Sequence, residues 1–195
     1  MLVDGFGAPQ VAALIVIAQR GLEELYSAHN TRRLIAKGAH EEGGNLYPIV
    51  AATHLGWIAA IGFLVPPDAP IHWTILGAYL LLQVARYWII QSLGGFWTHR
   101  IITLPAAPVV RTGPYAIVRH PNYLVTVVET ALLPLMFGAV AVGMIFTGLW
   151  IVVIRAKIAV ENDALSSRHP TNPAPIDGRW HRRKNRTCVH EAGYQ

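Results

Sequence analysis

The sequence predicts an all-α, polytopic integral membrane protein with about five transmembrane helices. Of its 195 residues, 53% are hydrophobic and only 14% are charged, and the mean hydropathy is +0.36. A soluble domain of this size carries about 25% charged residues, so much of the surface is expected to face lipid. The single cysteine, Cys188, cannot form an internal disulfide or a cysteine metal site.

Apolar segments predict the helices in chain order, and the second and third segments are the clearest. Segments 46–65 and 71–93 each supply the roughly 20 apolar residues that cross about 30 Å of hydrocarbon. The first segment, 8–28, carries Arg20 and a pair of glutamates near its end. Charged groups at membrane depth are expected to face other helices or a wet end of the span.

The fourth and fifth helices are predicted from one long apolar stretch. From Asn122 to Ile154 the one charged residue is Glu129. A single helix of this length would extend about 50 Å, too far for one crossing. A proline and a glycine near its middle predict a turn, which divides the stretch into spans 121–137 and 139–158.

The distribution of Lys and Arg predicts the orientation, because short cytoplasmic loops collect these residues. Basic residues lie between spans one and two, between spans three and four, and after span five, whereas loop 66–70 and the turn at Gly138 contain none. The N-terminus is therefore predicted outside and the C-terminus in the cytoplasm. The basic tail "RWHRRKNR" predicts contact with anionic membrane lipids and not with nucleic acid, since no nucleic-acid-binding motif accompanies it.

Two regions are predicted within the chain. Residues 1–165 form the membrane domain, and residues 166–195 form a polar, basic tail that is predicted to be largely disordered because it lacks apolar periodicity. The N-terminus "MLVDGFGAPQ" lacks the basic region of a cleaved signal peptide, so insertion is expected from the spans themselves. Nine histidines are present without the helical spacing of a metal motif, so no metal site is predicted.

The stretch "RTGPYAIVRHPNYLVTVV" places many polar groups at the start of the fourth span. Pro121 suits the first turn of a helix, where its missing N–H costs nothing, and the free N–H groups of that turn can bind a polar or anionic ligand. The alternative is a membrane anchor, with Arg119 and His120 at headgroup level and Tyr115 and Tyr123 in an aromatic belt. The spacing of the whole stretch favours a functional site.

Three stretches carry a family resemblance: "SLGGFWT" at 92–98, "TGPYAIVRHPNYL" at 112–124 and "RAKIAVENDAL" at 155–165. In this order they resemble the isoprenylcysteine carboxyl methyltransferase family, integral membrane enzymes that use S-adenosylmethionine, together with the related phospholipid methyltransferases. The N-terminal third, "ELYSAHNTRRLIAKGAHEEGGNLYPIVAATHLGW", resembles the bacterial branch found beside type III polyketide synthases. Members of that branch are similar to alkylpyrone O-methyltransferases.

The resemblance implies a cytoplasm-facing pocket for S-adenosyl-L-methionine. The residues that would line it or open its helix are Tyr115, His120, Pro121 and Tyr123. Glu161 would hydrogen-bond the ribose or the amino group of the cofactor. The sequence departs from the family at Asn162, where many relatives have a second acidic residue, so Glu161 would act alone.

Methyl transfer from a sulfonium is an in-line displacement, so the protein must mainly position two reactants and exclude water. The acceptor implied is a lipophilic small molecule or a prenylated substrate whose carboxylate or acidic enol is already anionic near pH 7, so a base would add little. Arg119 is predicted to position this anion as the catalytic residue, because a guanidinium offers a charged fork of donors.

Two further residues are predicted near the substrate. Arg86, on span three with Gln83, either supports the site or joins helices. Glu129 lies inside span four and either faces the tunnel of the lipid substrate or pairs with Arg86.

Two other classes compete with an S-adenosylmethionine-dependent O-methyltransferase of the protein-S-isoprenylcysteine type. One is a membrane reductase of the sterol-reductase type, for which the sequence offers no convincing nicotinamide motif. The other is a non-enzymatic membrane subunit. Neither accounts for the coupled spacing of the "RHPNY" and "RAKIAVENDAL" stretches.

Overall fold

Five long α-helices dominate the part of the chain that the computed structural model describes, which is residues 6–104, 110 and 112–168. The helices are α1 (Ala8–Ala36), α2 (Leu46–Leu64), α3 (Trp73–Leu93), α4 (Pro121–Leu135) and α5 (Val140–Arg168). Between them lie the three-residue strands β1 (His40–Glu42) and β2 (Ile101–Thr103) and the 3₁₀ turns Gly94–Phe96 and Gly113–Ala116. The predicted all-α architecture is confirmed.

Three of these helices are long and apolar enough to cross a membrane. The spans are Leu46–Leu64, Trp73–Phe96 and Val140–Asp163, with hydropathies of 1.5, 1.3 and 1.8. Large apolar side chains on them point outward; Phe63 is 86% exposed and Leu81 is 73% exposed. Such a surface is stable only against lipid, so the protein is an integral membrane protein. Crossing by α1 and α4, and therefore the number of five spans, stays a prediction.

The predicted hairpin between the fourth and fifth helices is present. Pro134 lies in the last turn of α4, and its carbonyl accepts a 3.0 Å hydrogen bond from the N–H of Ala139. Gly138 adopts a positive φ of 71° in the turn, a conformation that costs glycine little.

Helix α5 continues past the predicted membrane span 139–158. It runs to Arg168, because neither glycine nor proline interrupts residues 149–168. The division into a membrane domain, residues 1–165, and a tail, residues 166–195, stays a prediction. The predicted disorder of the tail otherwise concerns residues 169–195, which lie outside the described part of the chain.

A hydrophobic core joins four helices at one end of the bundle. Trp57 and Ile61 of α2 are fully buried against Val16 of α1, Tyr79 of α3 and Leu133 of α4. The cluster continues into the α2–α3 and α4–α5 turns, where the N–H of His72 donates to the carbonyl of Met136 at 2.9 Å. These contacts close the end of the bundle that lacks basic loops.

Four charged residues form a buried network between α1, α3 and α4. Arg86 donates from Nε and Nη2 to Glu23 at 2.8 and 2.7 Å, and from Nη1 to Glu129 at 3.1 Å. Arg20 contacts both carboxylates as well. Two arginines thus balance two glutamates, as buried charges require. Of the two alternatives for Glu129, the structure shows the pairing with Arg86.

The two strands tie the α1–α2 loop to the segment that follows α3. They pair antiparallel, with Glu41 opposite Ile102. Arg100 donates to both oxygens of Glu41 at 3.0 and 2.9 Å, and its guanidinium lies 4.1 Å from the centroid of the Tyr47 ring. The bond to Glu41 raises the pKa of Arg100, which therefore remains charged. This pairing closes one side of the cavity described next.

Candidate active site

A cavity of about 660 Å³ lies at the opposite end of the bundle from the core turns, and all five helices and β2 contribute to its walls. Ligand pockets in proteins have volumes of about 300–1,000 Å³. Of the predicted site residues, those that line it are Arg86, Tyr115, Arg119, His120, Tyr123 and Glu161. Pro121 is buried at the first turn of α4, and Glu129 belongs to the charged network, so these two lie behind the wall.

The two sequence motifs meet at one carboxylate. Tyr123 on α4 donates from its hydroxyl to Glu161 on α5 at 3.0 Å, and His120 Nδ1 lies 3.5 Å from the same oxygen. The rings of His120 and Tyr123 are stacked, with centroids 5.5 Å apart and an interplanar angle of 16°. Residues 38 positions apart in the chain therefore form a single polar cluster on the cavity wall.

The "GPY" segment forms a tight turn against the end of α3. Gly113 has a φ of 56°, and a Cβ at this position would lie 2.6 Å from Ser92 Oγ. The next proline, Pro114, is buried, and Tyr115 follows on the cavity wall. Burial raises the pKa of the Tyr115 phenol, and the charge of Glu161 raises it further, so this phenol stays neutral and can donate a hydrogen bond.

Lys157 is a site residue that sequence reasoning missed. Its side chain is buried, Nζ donates to the carbonyl of His99 at 2.9 Å, and Nζ lies 5.4 Å from the centroid of the Tyr123 ring. Lys157 stands one helical turn before Glu161, so both face the cavity. The i,i+4 spacing in "RAKIAVEND" was the available signal.

The "SLGGFWT" segment also lines the cavity, through Phe96, Trp97 and Thr98. Helix α1 fixes this segment, because Asn30 Nδ2 donates to the carbonyl of Gly94 at 3.2 Å and to that of Trp97 at 2.9 Å. The first helix therefore shapes a site whose recognisable motifs all lie after residue 92.

Arg119 and Asn122 each offer a ligand a polar group in the segment that opens α4. Arg119 is exposed and forms no hydrogen bond or ion pair with any residue that the structure describes. Asn122 Oδ1 is buried and has no hydrogen-bond donor among the described residues. Buried polar atoms are normally satisfied, so this oxygen is suited to a donor on a bound molecule.

An all-α membrane fold with a ligand-sized, mainly apolar cavity that carries a polar cluster at one end defines the class of a membrane protein with a binding site for a small molecule. Residues 74–167 match the isoprenylcysteine carboxyl methyltransferase (ICMT) family. The chain belongs to this family and is a membrane methyltransferase of the isoprenylcysteine carboxyl methyltransferase kind. The predicted resemblance to the family is confirmed, while the resemblance to its bacterial branch stays a prediction.

Two bacterial relatives extend the similarity beyond the matched region. The chain is 31% identical over 155 residues to the uncharacterized protein YpbQ of Bacillus subtilis (strain 168), covering 77% of this chain and 92% of YpbQ. It is 26% identical over 160 residues to an uncharacterized protein of Haemophilus influenzae, covering 80% of this chain and 93% of that protein. No solved structure matches the chain.

Proposed function

We propose that the protein is an S-adenosylmethionine-dependent O-methyltransferase that acts on a lipophilic acceptor anion entering from the bilayer. The observation that carries the proposal is the convergence of His120, Tyr123 and Glu161 on one wall of the cavity. Members of the family use S-adenosylmethionine as methyl donor.

The residues on the cavity wall fit this cofactor. Glu161 can accept hydrogen bonds from ribose hydroxyls, and Asn122 Oδ1, buried without a partner among the described residues, can accept one from an amino group. The stacked rings of His120 and Tyr123 offer a flat surface for a heterocycle. When bound, the cofactor supplies an electrophilic methyl group on a sulfonium.

The chain's own residues then hold the reactants and exclude water. Leu55, Ile58 and Ile154 give the cavity apolar walls towards the core end of the bundle. Arg119 supplies the cation for the acceptor, because its guanidinium is charged and unpaired within the described ranges. The acceptor oxygen is anionic near pH 7, so the chain needs no base to activate it.

The chemical class of the methyl acceptor is proposed from the isoprenylcysteine carboxyl methyltransferase family and from its bacterial branch, which resembles alkylpyrone O-methyltransferases. The family supports a prenylated cysteine carboxylate, and the branch supports an alkylpyrone enol; both are lipophilic anions. The N-terminus is proposed outside and the C-terminus in the cytoplasm, which places the cavity on the side where the methyl donor is made.

The proposal is tested with the full chain in lipid nanodiscs. Calorimetric titration should show binding of S-adenosylmethionine and not of reduced nicotinamide adenine dinucleotide phosphate. Radiolabelled methyl groups should be transferred to S-farnesylthioacetic acid or to a long-chain 6-alkyl-4-hydroxy-2-pyrone. Nicotinamide binding without binding of S-adenosylmethionine would favour the reductase class instead.

A further inference from the structure

Five residues that line the cavity each have a buried side-chain atom without a hydrogen-bond partner in the described part of the chain, and two of them, Trp97 and Asn122, belong to the motif segments described above. The other three atoms are Arg20 Nε on α1, His54 Nε2 on α2 and Trp150 Nε1 on α5. We name these three residues the polar wall. A buried polar atom without a partner is unfavourable, so three of them on residues around one cavity indicate a group that the bound molecule brings.

The polar wall lies deep in the cavity, away from the cluster around Glu161. Trp150 precedes Glu161 on α5 by eleven residues, which is about 16 Å along a helix axis. His54 is held edge-on between Trp150 and Trp57, with ring centroids 5.4 and 5.2 Å away. The two ends of the cavity therefore present different groups to different parts of the bound molecules.

The electrostatics of the polar wall favour a neutral partner. The terminal nitrogens of Arg20 contact Glu23 and Glu129, and the charged network as a whole is balanced. What Arg20 offers to the cavity is the remaining Nε–H. Trp150 Nε1 can only donate, and His54 Nε2 donates or accepts according to its tautomer. With the proton of His54 on Nε2, all three groups are donors without excess charge, and they match an uncharged oxygen such as a carbonyl.

Two of the three residues come from helices that precede the matched family region. Arg20 and His54 lie before residue 74, whereas His120 and Glu161 lie inside the matched range. The polar wall thus adds a feature of this chain's N-terminal helices to the shared part of the site. Its position fits selection of the acceptor better than binding of the common cofactor.

We propose that the polar wall recognises a neutral carbonyl oxygen of the methyl acceptor, separate from the oxygen that is methylated. This inference rests on the proposed function and narrows its substrate class. The preferred acceptor carries an ionised oxygen and a second, uncharged oxygen on an apolar body. A plain carboxylate on an apolar chain lacks the second group and leaves the polar wall unsatisfied.

The experiment compares two probe acceptors of similar length in nanodiscs that contain the full chain. One is a 6-alkyl-4-hydroxy-2-pyrone, which has an enol and a ring carbonyl; the other is S-farnesylthioacetic acid, which has its oxygens in the carboxylate alone. Trp150→Phe and His54→Phe keep an aromatic ring and remove the ring N–H. Each substitution should lower kcat/KM for the pyrone about three- to tenfold, which corresponds to the loss of one neutral hydrogen bond. The kcat/KM for S-farnesylthioacetic acid should change by less than about twofold.

Trp57→Phe is the matched control. Trp57 also packs on His54, but its Nε1 donates to the carbonyl of Thr130 at 3.2 Å and does not line the cavity. It should affect both probes equally. Equal effects of Trp150→Phe and His54→Phe on both probes would overturn the inference and assign these atoms to packing or hydration.

Calorimetric binding of the pyrone separates the inference from the proposed function. If the pyrone binds without being methylated, and Trp150→Phe weakens this binding while the binding of S-farnesylthioacetic acid is unchanged, the recognition of a neutral carbonyl by the polar wall holds and the methyltransferase proposal fails. If the wild-type protein methylates the carboxylate and does not bind the pyrone, the proposed function holds and the inference is overturned.

Discussion

Glu161 is the residue at which the two halves of the candidate site meet. Its carboxylate accepts from Tyr123 and lies beside His120, so removing its charge changes the cluster without removing its shape. Glu161→Gln should raise the Kd for S-adenosylmethionine by a factor of about ten to a hundred, because a charge-assisted hydrogen bond contributes about 1.5–3 kcal/mol. His120→Ala should weaken binding in the same titration, through loss of the stacked ring.

The control for this prediction is Glu42→Gln. Glu42 is a half-buried carboxylate in β1 that pairs with His40 and does not line the cavity. Its substitution should leave the calorimetric Kd unchanged. Wild-type affinity in Glu161→Gln would remove this residue from the cofactor pocket.

Arg119 is predicted to act on the acceptor and not on the cofactor. Arg119→Ala should leave the Kd for S-adenosylmethionine nearly unchanged and lower single-turnover methyl transfer by a factor of about ten to a hundred. Arg119→Lys should recover part of the loss, since an ammonium keeps the charge but not the fork.

Arg155→Ala provides the comparison for a general loss of positive charge. Arg155 is exposed on α5 and does not line the cavity, so its removal should change neither quantity. If Arg119→Ala abolished cofactor binding and left saturation by the acceptor unchanged, Arg119 would belong to the cofactor site and not to the acceptor site.

Sequence reasoning found the site residues of the "RHPNY" stretch and Glu161, but it missed Lys157, which stands one helical turn before Glu161 in "RAKIAVENDAL". Tyr115, His120 and Tyr123 share one short stretch, so their proximity follows from local geometry. His54 and Trp150 each stand in apolar sequence, and only the packing of α2 and α5 brings them together. A cavity wall built by three helices has no local signature.

At the scale of elements, the turn that carries Tyr115 depends on a glycine. Gly113→Ala should lower thermal stability and weaken cofactor binding, because the positive φ disfavours a side chain and the new Cβ would lie 2.6 Å from Ser92 Oγ. The expected cost is about 1–3 kcal/mol. Adding Ser92→Ala should recover part of it by removing the contact while the backbone strain remains.

Gly148→Ala is the matched control for that substitution. Gly148 lies in α5, and nothing approaches the position of its Cβ within 4 Å. Alanine there should be neutral or stabilising by up to about 1 kcal/mol. Equal melting temperatures for the two variants would show that the turn does not need its glycine.

The charged network tests whether Glu129 is structural or binds substrate. Glu129→Leu leaves two buried arginines with one carboxylate, so the free energy of unfolding should fall by about 3–5 kcal/mol. The double variant Arg86→Leu with Glu129→Leu leaves Arg20 paired with Glu23 and should lose less than the sum of the single variants. Unchanged unfolding with a raised KM for the acceptor would instead assign Glu129 to substrate binding.

Element boundaries were predictable where glycine, proline or polar loops set them. The start of α4 at Pro121 and the turn after Pro134 follow from residue chemistry alone. The pairing of β1 with β2 was not predictable, because each strand has three residues and its partner is about 60 positions away. The end of α5 was not predictable from hydropathy, because the apolar stretch ends before the helix does.

At the scale of the whole molecule, charge and cavity lie at the same end. Arg100, Arg119 and Lys157 all line the cavity, whereas the α2–α3 turn at the core end has no Lys or Arg. Short loops rich in Lys and Arg stay in the cytoplasm. The cavity is therefore expected to open to the cytoplasm, while the exposed apolar faces of α2, α3 and α5 contact lipid.

Thiol labelling of whole cells can test this orientation, because Cys188 is the single cysteine and Cys188→Ser provides a cysteine-free background. In that background Asp68→Cys, in the α2–α3 turn, should react with a membrane-impermeant maleimide from outside. Arg155→Cys should react only after the membrane is permeabilised. A third probe, Phe6→Cys just before α1, distinguishes five spans from four: labelling from outside means that α1 crosses the membrane, and labelling only after permeabilisation means that it does not. Labelling of Arg155→Cys in intact cells would reverse the topology and separate the cavity from the cytoplasmic methyl donor.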